Sequence, residues 1–386
     1  MSGARRVIVV GGNIAGLGLA LALKRLGLDP VVLERMPSRV DVGGGLHIWT
    51  NGAKALRWLG VDETLRAVGT NVERLEFRTR GGAVIMTAPL GDFGRRYGDA
   101  AFFIPRVALP RTLLEALGTD SVEFGAECVG YEQRDGGVTA RVADGREFHG
   151  DVLVGADGIR SGVRAQLVGD VQPRHAGYQD WGAIVQIDGL EVPPGVFWTI
   201  FGSGARAGIA HVGPGLVYWA TSIRRPLAAP APPIRELQAR FADWPEALRV
   251  LIDATPPEVF YGADIFELPK LSRWTDRRVA LIGDGAHAMQ PGAGRGASEG
   301  LVDAVTLART LASLDGLEDG TSVASALKKW ERSRRRDTEP IVKRSRQIGE
   351  LGMWQGRTAM RARRVYIGAI GRFVIRSMEK DFRAEI

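Results

Sequence analysis

Short apolar runs and helix-length apolar stretches alternate along the first third of the chain. Val7 to Val10 is four aliphatic residues, too short for a helix and suited to a buried strand. Leu17 to Leu26 is apolar at helix length and stops at Gly27. Pro30 to Leu33 is a second strand, closing on Glu34. Strand, helix, strand in this order predicts a parallel, doubly wound unit. Val107 to Leu117 reads as a helix, and alternation from Val122 to Val142 predicts paired strands. Asp151 to Val154 and Val279 to Ile282 are two further buried strands.

The pattern changes in the middle. From Gly177 to Ile265 the apolar positions are aromatic or β-branched, as in Tyr178, Trp181, Phe197, Trp198, Val217 and Trp219, with glycine and proline between. This predicts an antiparallel sheet with one helix near Ile234 to Phe241. Beyond Gly300 the chain reads as helix to its end. The expected fold class is α/β: a doubly wound domain, an inserted α+β antiparallel-sheet domain and a helical C-terminal tail.

Composition narrows this picture. At 386 residues the chain is too long for one ordinary core, and 45% apolar with 25% charged residues describes a globular protein. The single cysteine, Cys128, excludes an internal disulfide and a cysteine-based metal site; no metal is expected, and a reducing cytoplasm fits. Arg5 and Arg6 ahead of apolar residues imitate a secretory signal. Gly11, Gly12 and Asn13 interrupt that run, and no cleavage site follows Leu23. No transmembrane span is expected. The net charge of +7 is concentrated: residues 324–386 hold 17 Lys/Arg against 7 Asp/Glu, which leaves −3 for the rest. No basic, aromatic-laced module for nucleic acid stands out, so the tail is expected to present a solvated helix face.

Three stretches carry chemistry. In VIVVGGNIAGLGLALALKRLGLDPVVLER, a glycine turn between strand and helix lets backbone N–H groups approach a pyrophosphate at the positive helix end. Gly11 makes the turn, and Gly16 lets helix and strand pack closely. Asn13 replaces the middle glycine of G-x-G-x-x-G and tolerates left-handed backbone. Glu34 ends the second strand, where its carboxylate would accept ribose hydroxyls and repel a 2′-phosphate. The dinucleotide is therefore FAD or NAD. In DVLVGADGIRSGVR a buried strand turns at Asp157–Gly158 into a helix. In RVALIGDGAHAMQPGAGRGASEG a strand delivers Gly283–Asp284, and a glycine loop from Pro291 feeds a helix starting near Ala297. Several free N–H groups and a positive helix end then point at one place.

These three motifs, in this order, resemble the FAD-dependent aromatic-ring hydroxylases of the p-hydroxybenzoate hydroxylase superfamily, over roughly Val7 to Pro340. GGGLHIWTNGAKALRWLG and GYQDWGAIVQIDG look like the branch with urate hydroxylase, salicylate-hydroxylase-like and zeaxanthin-epoxidase-like enzymes. The resemblance implies an FAD-binding domain (1–75, 101–176 and 270–325), a substrate domain (76–100 and 177–269) and a helical tail (326–386). It implies that Gly11, Gly12, Asn13, Ala15 and Gly16 hold the pyrophosphate and Glu34 the ribose, with Arg35 following it. Arg106 would contact the phosphate and ribityl portion, and Cys128 would offer a backbone contact to adenine. Asp157 belongs to a motif tied to FAD and reduced nicotinamide. Asp284 would bind the ribityl chain, and Pro291, Gly294, Arg295, Gly296 and Ala297 the isoalloxazine. His287 is read as structural support. Where the urate enzyme carries an acid after the loop proline, this chain has Gly292, which argues against urate.

The chemistry implied is reduction of FAD by NADH or NADPH, formation of a C4a-hydroperoxide with O₂, and hydroxylation of an electron-rich aromatic small molecule. No second dinucleotide motif serves the nicotinamide, which fits a transient co-substrate. Candidate lining residues are His47 and Trp49 from the flavin side, with Arg206, His211 and Tyr218 from the sheet. His47, His211 or Tyr218 could take a phenolic proton, and Arg206 could hold an anion. Rival readings are alkene epoxidation or oxidative rearrangement on the same fold, and a flavin-binding protein without turnover. The tail, with Val365, Tyr366, Ile367, Ile370 and Phe373 amid arginines, is expected to pack on its own domain or a second subunit, with weak contact to an anionic membrane as the alternative. A monomer or homodimer is expected.

Overall fold

The computed structural model describes residues 5–39, 43–134 and 136–386. β1 (Arg6–Val10), α1 (Ile14–Arg25) and β2 (Asp29–Glu34) form the expected unit, with β1 and β2 parallel in register Val7 to Pro30. They belong to a six-stranded sheet ordered Thr275–Asp276, Val279–Leu281, Val152–Gly155, β1, β2, Val122–Phe124. The chain leaves β1 for β2 on one side and returns to Val152–Gly155 on the other. The direction of winding thus switches beside β1, where such sheets open a crevice at the carboxyl ends of their strands. α1 lies between this sheet and the helix Gly296–Ala312: a Cβ on Gly18 would stand 3.3 Å from Leu301 Cδ2.

Val122–Phe124 departs from the expected pairing. It does not pair with its sequence neighbours but lies parallel to β2, because the helix Ala108–Leu117 carries the chain across as a crossover. The antiparallel strands that do pair are Cys128–Arg134, Gly137–Val142 and Glu147–Gly150.

The second large sheet has seven strands, ordered Tyr261–Glu267, Arg174–Gln186, Leu216–Arg224, Ala205–Gly213, Val196–Phe201, Arg74–Thr79, Val84–Ala88. It is antiparallel except where Val196–Phe201 meets Arg74–Thr79. One face, with Trp181, Trp198, Ile209 and Trp219, packs on Leu237, Phe241, Leu248 and Leu251. They come from two helices, Ile234–Arg240 with its cap residue Phe241 and Glu246–Asp253, where one was expected. Pro245 divides them, since proline has no N–H to continue the first helix and biases the residue before it out of helical geometry.

A small sheet of Gly45–Ile48, Phe102–Pro105 and Thr70–Asn71 lies beside the strand Ala205–Gly213. The chain ends in two long helices, Gly320–Gly352 and Arg357–Arg383. Among the described residues no helix is long and apolar enough to cross a membrane.

Candidate functional site

Four neighbouring parallel strands end side by side, and each end carries a residue singled out from the sequence. β2 ends in Glu34, β1 runs into Gly11, Val152–Gly155 into Asp157, and Val279–Leu281 into Gly283–Asp284. The turns touch. Gly11 has φ +107°, and a Cβ there would stand 2.5 Å from the Ala156 carbonyl oxygen. A Cβ on Gly16 would fall 1.8 Å from the Gly11 carbonyl oxygen, so any larger residue would push helix and turn apart. Asn13 caps α1 by accepting from the Ile14 N–H at 2.8 Å, leaving the other first-turn N–H groups without a side-chain cap. Ala15 packs inward, 3.3 Å or less from where Cβ atoms on Gly283 and Gly300 would stand.

Glu34 braces this crevice. Its carboxylate accepts the Gly12 N–H at 2.7 Å and the Met36 N–H at 2.9 Å, each oxygen keeping a lone pair for a ribose hydroxyl. Arg35 is exposed beside it. Cys128 is half-buried at a strand start, its thiol donating to the Gly130 carbonyl at 3.5 Å; burial pushes its pKa up, so it stays a thiol. Asp157 accepts the Ser161 hydroxyl at 2.5 Å and the Val163 N–H at 3.1 Å, and burial raises its pKa. It holds the turn closed. Asp284 is exposed at the start of the short helix Asp284–His287.

The glycine loop has a different role for each glycine. Gly294 takes φ +63°, a left-handed position that ends the Pro291–Ala293 turn. A Cβ on Gly292 would lie 2.4 Å from the Ser345 carbonyl oxygen, so this glycine lets the helix Gly320–Gly352 approach the loop. Gly296 opens the helix Gly296–Ala312, and a Cβ there would meet nothing within 4 Å. No side chain caps this helix, so its first N–H groups and the positive end of its dipole face that space.

Trp49 fastens the loop from the other side. Its backbone N–H donates to Ser298 Oγ at 3.0 Å and its indole N–H to the Ala293 carbonyl at 2.9 Å. His47 lies against Gly294, stacked on Phe103 with ring centroids 4.5 Å apart and edge-on to Phe197 at 5.8 Å. Burial, then the nearby Arg295 guanidinium, lowers its pKa to about 3. His47 is therefore a neutral ring in an aromatic wall, a weak base whose Nε2 is buried without a partner.

Beneath the loop runs a buried ionic network. Arg295 bonds Glu299 at 2.9 Å and Asp381 at 2.7 Å; Arg334 bonds Glu299 at 2.9 Å and Asp303 at 2.7 Å. His287 Nε2 meets Asp303 at 2.6 Å, and Asp303 also accepts the Gly283 N–H at 2.9 Å. Each buried charge is paired, as its burial demands. His287 thus supports the site from below rather than facing it.

The seven-stranded sheet closes the other side, and its two-residue period decides which side chains reach the site. Tyr218 points at the small sheet: a Cβ on Gly45 would stand 2.5 Å from its ring, and His47 follows on the same strand face. Its hydroxyl lies toward that of Tyr261, and burial pushes both phenols up. Asp180, Ser222 and Arg206 form one cross-strand row on this face, with Arg206 Nε donating to Ser222 Oγ at 2.9 Å. Burial raises the Asp180 pKa against the pull of Arg206, and Asp180 Oδ1 is buried without a partner. Arg106 is exposed, its charge felt by both tyrosines. His211 sits an odd number of residues from Arg206 and faces the opposite side, where its Nε2 meets the Val192 carbonyl at 2.8 Å and it lines a separate cavity with Ile187 and Leu190. Its nomination as a site residue is corrected: the pleat of the strand turns it away.

Asp180, Tyr261, Phe103 and Phe197 were not singled out from the sequence. Asp180 had a signal, a carboxylate at an inward position of an otherwise apolar alternation. Tyr261 had none, since only the pairing of distant strands brings it to Tyr218.

This donor set fits FAD. A glycine-rich turn and a strand-end carboxylate suit one half of a dinucleotide, and an uncapped helix end with open space at Gly296 suits a ring that gains negative charge. The FAD binding domain family model matches residues 4–345 of the chain. The aurachin C monooxygenase/isomerase of Stigmatella aurantiaca is 34% identical over 351 residues, with 90% of each chain covered. The 3-amino-4-hydroxybenzoate 2-monooxygenase PtmB3 of Streptomyces platensis is 35% identical over 356 residues, covering 89% of this chain and 87% of that one. The crystal structure of Klebsiella pneumoniae HpxO complexed with FAD and uric acid superposes with a TM-score of 0.89 at 28% identity, over 99% of this chain and 97% of that one. The chain belongs to the FAD binding domain family, among the flavin-dependent hydroxylases of the p-hydroxybenzoate hydroxylase superfamily.

Proposed function

We propose that this chain is a monooxygenase that uses FAD, NAD(P)H and O₂ to hydroxylate an electron-rich aromatic small molecule held between the glycine loop and the seven-stranded sheet. The observation that carries the reading is the uncapped helix end at Gly296, open beside Trp49 and His47 and aligned with four strand ends suited to a dinucleotide. On this reading residues 1–75, 101–176 and 270–325 serve the flavin, and 76–100 with 177–269 serve the substrate. The enzyme acts in the cytoplasm as a monomer or homodimer.

Bound FAD supplies the redox chemistry: two electrons arrive from NAD(P)H, one oxygen atom of O₂ enters the substrate and the other leaves as water. The residues of the chain bind, orient and shield. Backbone N–H groups at Gly296 and Ala297 would favour negative charge on a cofactor edge set against them. Trp49, His47, Phe103 and Phe197 wall the pocket with rings that exclude water. Arg206 is the cation suited to an acidic substituent, and the Tyr218–Tyr261 pair would relay a phenolic proton toward the Asp180 carboxylate, whose Oδ1 has no partner. Loss of that proton makes the ring more electron-rich before oxygen transfer.

Urate is disfavoured as the substrate: the resemblance to the urate enzyme implies an acid where this chain has Gly292, and a Cβ there would already stand 2.4 Å from the Ser345 carbonyl oxygen. The test is a screen of phenols, indoles, quinolones and polycyclic aromatics for accelerated NAD(P)H consumption, with product mass increased by one oxygen atom. A purified protein that is colourless and takes up no FAD sinks the reading. A second reading, oxygenation followed by rearrangement, is favoured by the likeness to the aurachin C monooxygenase/isomerase. The carbon skeleton of the product separates the two.

A further inference from the structure

The last helix, Arg357–Arg383, has two faces of different character. One is buried and carries Arg363, Ile367, Gly371, Met378 and Phe382. Gly371 lies on Met86, with a Cβ position 3.2 Å from its sulfur, and Phe382 meets Phe93 edge-on at 5.6 Å. Arg363 donates to the carbonyls of Leu351 at 3.0 Å and Gly202 at 2.7 Å. This face packs the tail on its own domain.

The opposite face stays in solvent, with Val365 71%, Tyr366 52% and Phe373 75% exposed. Around them, at helical spacing, stand Arg361, Arg364, Arg372, Arg376 and Lys380, all exposed. Among the described residues none of these five has an ion pair or side-chain hydrogen bond. The carboxylates of the helix are used elsewhere: Glu379 serves Tyr97, Arg96 and Arg383, and Asp381 serves Arg295. The face is therefore apolar and basic, with no acid of its own free to neutralise it.

We propose that this face docks the protein on an anionic lipid surface, the helix lying in the plane of the headgroups. Large apolar side chains would enter the boundary between headgroups and acyl chains, while arginine and lysine stems lie along it and their charged ends reach lipid phosphates. The helix is not apolar enough to cross, so it lies on the membrane. A second copy is the poorer partner. A two-fold interface would set Arg372 and Arg376 against their own equivalents with no carboxylate between them. Charge complementarity favours phosphate. This inference stands apart from the reading of the flavin site.

The test uses the full-length, FAD-loaded protein floated with vesicles of phosphatidylglycerol and phosphatidylcholine, or of phosphatidylcholine alone, at about 0.1 M and about 1 M salt. The expected result is binding to the anionic vesicles only, lost at the higher salt. Each basic residue near such a surface strengthens binding about fivefold, so R372E/R376E should weaken it by at least about 25-fold. Phe373→Ser should weaken it too, by removing an inserted ring. Both variants change exposed positions, and an unaltered flavin spectrum reports that they are folded. Equal binding to neutral vesicles, no binding to anionic ones, or binding indifferent to both variants overturns the proposal. So does a dimer, seen by sedimentation equilibrium, that Phe373→Ser dissociates: the face would then belong to a second copy.

Discussion

Arg295 and Asp381 lie 86 residues apart in the chain and meet at 2.7 Å. The first belongs to the glycine loop and the second to the last turns of the C-terminal helix, so the end of the chain holds the loop from outside. Lys54, whose ammonium donates to the carbonyls of Phe382 at 2.9 Å and Ala384 at 2.7 Å, adds a second tie at the same place. Arg295 is buried and keeps Glu299 when Asp381 is neutralised, so the loss is partial. Asp381→Asn should cost about 1–3 kcal/mol of unfolding free energy, the range for a hydrogen bond to a buried charge. It should also raise the Kd for FAD. Denaturant unfolding and quenching of flavin fluorescence measure the two, and a variant unchanged in both would separate the tail from the loop.

The His287–Asp303 pair gives the protein a defined pH window. Burial alone would lower the His287 pKa, but the Asp303 carboxylate outweighs it and holds it above the ordinary histidine value. For Asp303 burial pulls upward, and His287 with Arg334 holds it down at about 2. A raised histidine contributes stability that is complete below its unfolded pKa and lost as pH rises through the folded value. A depressed aspartate contributes stability present above its unfolded pKa and lost as pH falls through about 2. The stability curve should therefore be highest between about pH 4 and pH 6.5 for this pair and decline on the alkaline side. Thermal melts across pH should show that alkaline decline in the wild type and not in His287→Asn. An identical slope in both assigns the decline to another group.

The strand-end turns of the candidate flavin site were legible in the sequence because local constraints set them. Gly11, Gly16 and Gly294 occupy positions where the backbone admits little else, and Glu34 is fixed by the length of β2. The substrate side was harder to read, since its residues are chosen by strand register. His211 and Tyr218 look equivalent in sequence, yet the pairing of Tyr218 with Ala210 puts the neighbouring His211 on the other face. Tyr261 joins Tyr218 only because Tyr261–Glu267 closes the sheet beside Arg174–Gln186, a contact with no local signature. Val122–Phe124 failed for a related reason: a three-residue run cannot announce whether its partner is adjacent or across a helix.

Arg206 and Tyr218 should affect different kinetic quantities. Arg206 is buried, bonded to Ser222 and packed over Tyr178, so its guanidinium is held ready rather than recruited. Arg206→Ala should raise KM for an acidic aromatic substrate about 10–100-fold, the loss expected for a charge-assisted bond, with FAD affinity unchanged.

Tyr218→Phe removes one hydroxyl and leaves the ring on Gly45. If the phenol relays the substrate proton, kcat for hydroxylation should fall by about 10²-fold or more. NAD(P)H oxidation should persist with less product formed per nicotinamide consumed. Steady-state rates with product counted by chromatography separate the two outcomes, and full coupling in Tyr218→Phe would remove the relay.

Gly292 sets how near the long helix can come to the glycine loop. A Cβ at this position would stand 2.4 Å from the Ser345 carbonyl oxygen and 3.1 Å from the Gly349 nitrogen, both backbone atoms that cannot swing aside. The neighbouring Gly349 is equally tight, its Cβ position 2.0 Å from Gln290 Oε1, and Gln290 in turn accepts the Tyr178 hydroxyl at 3.0 Å. Loop, helix and sheet thus meet within a few residues. Gly292→Ala should force the helix outward and cost about 1–3 kcal/mol, the usual penalty of overpacking. Because the loop moves with it, FAD affinity should drop as well. Gly296→Ala is the matched control, since a methyl there meets no protein atom and any effect on FAD would come from crowding the cofactor alone. Thermal melts of the two apoproteins distinguish them: Gly292→Ala should melt lower, and Gly296→Ala should match the wild type. Equal melting of all three would mean that the helix and loop part without cost, and the close approach would then have no structural role.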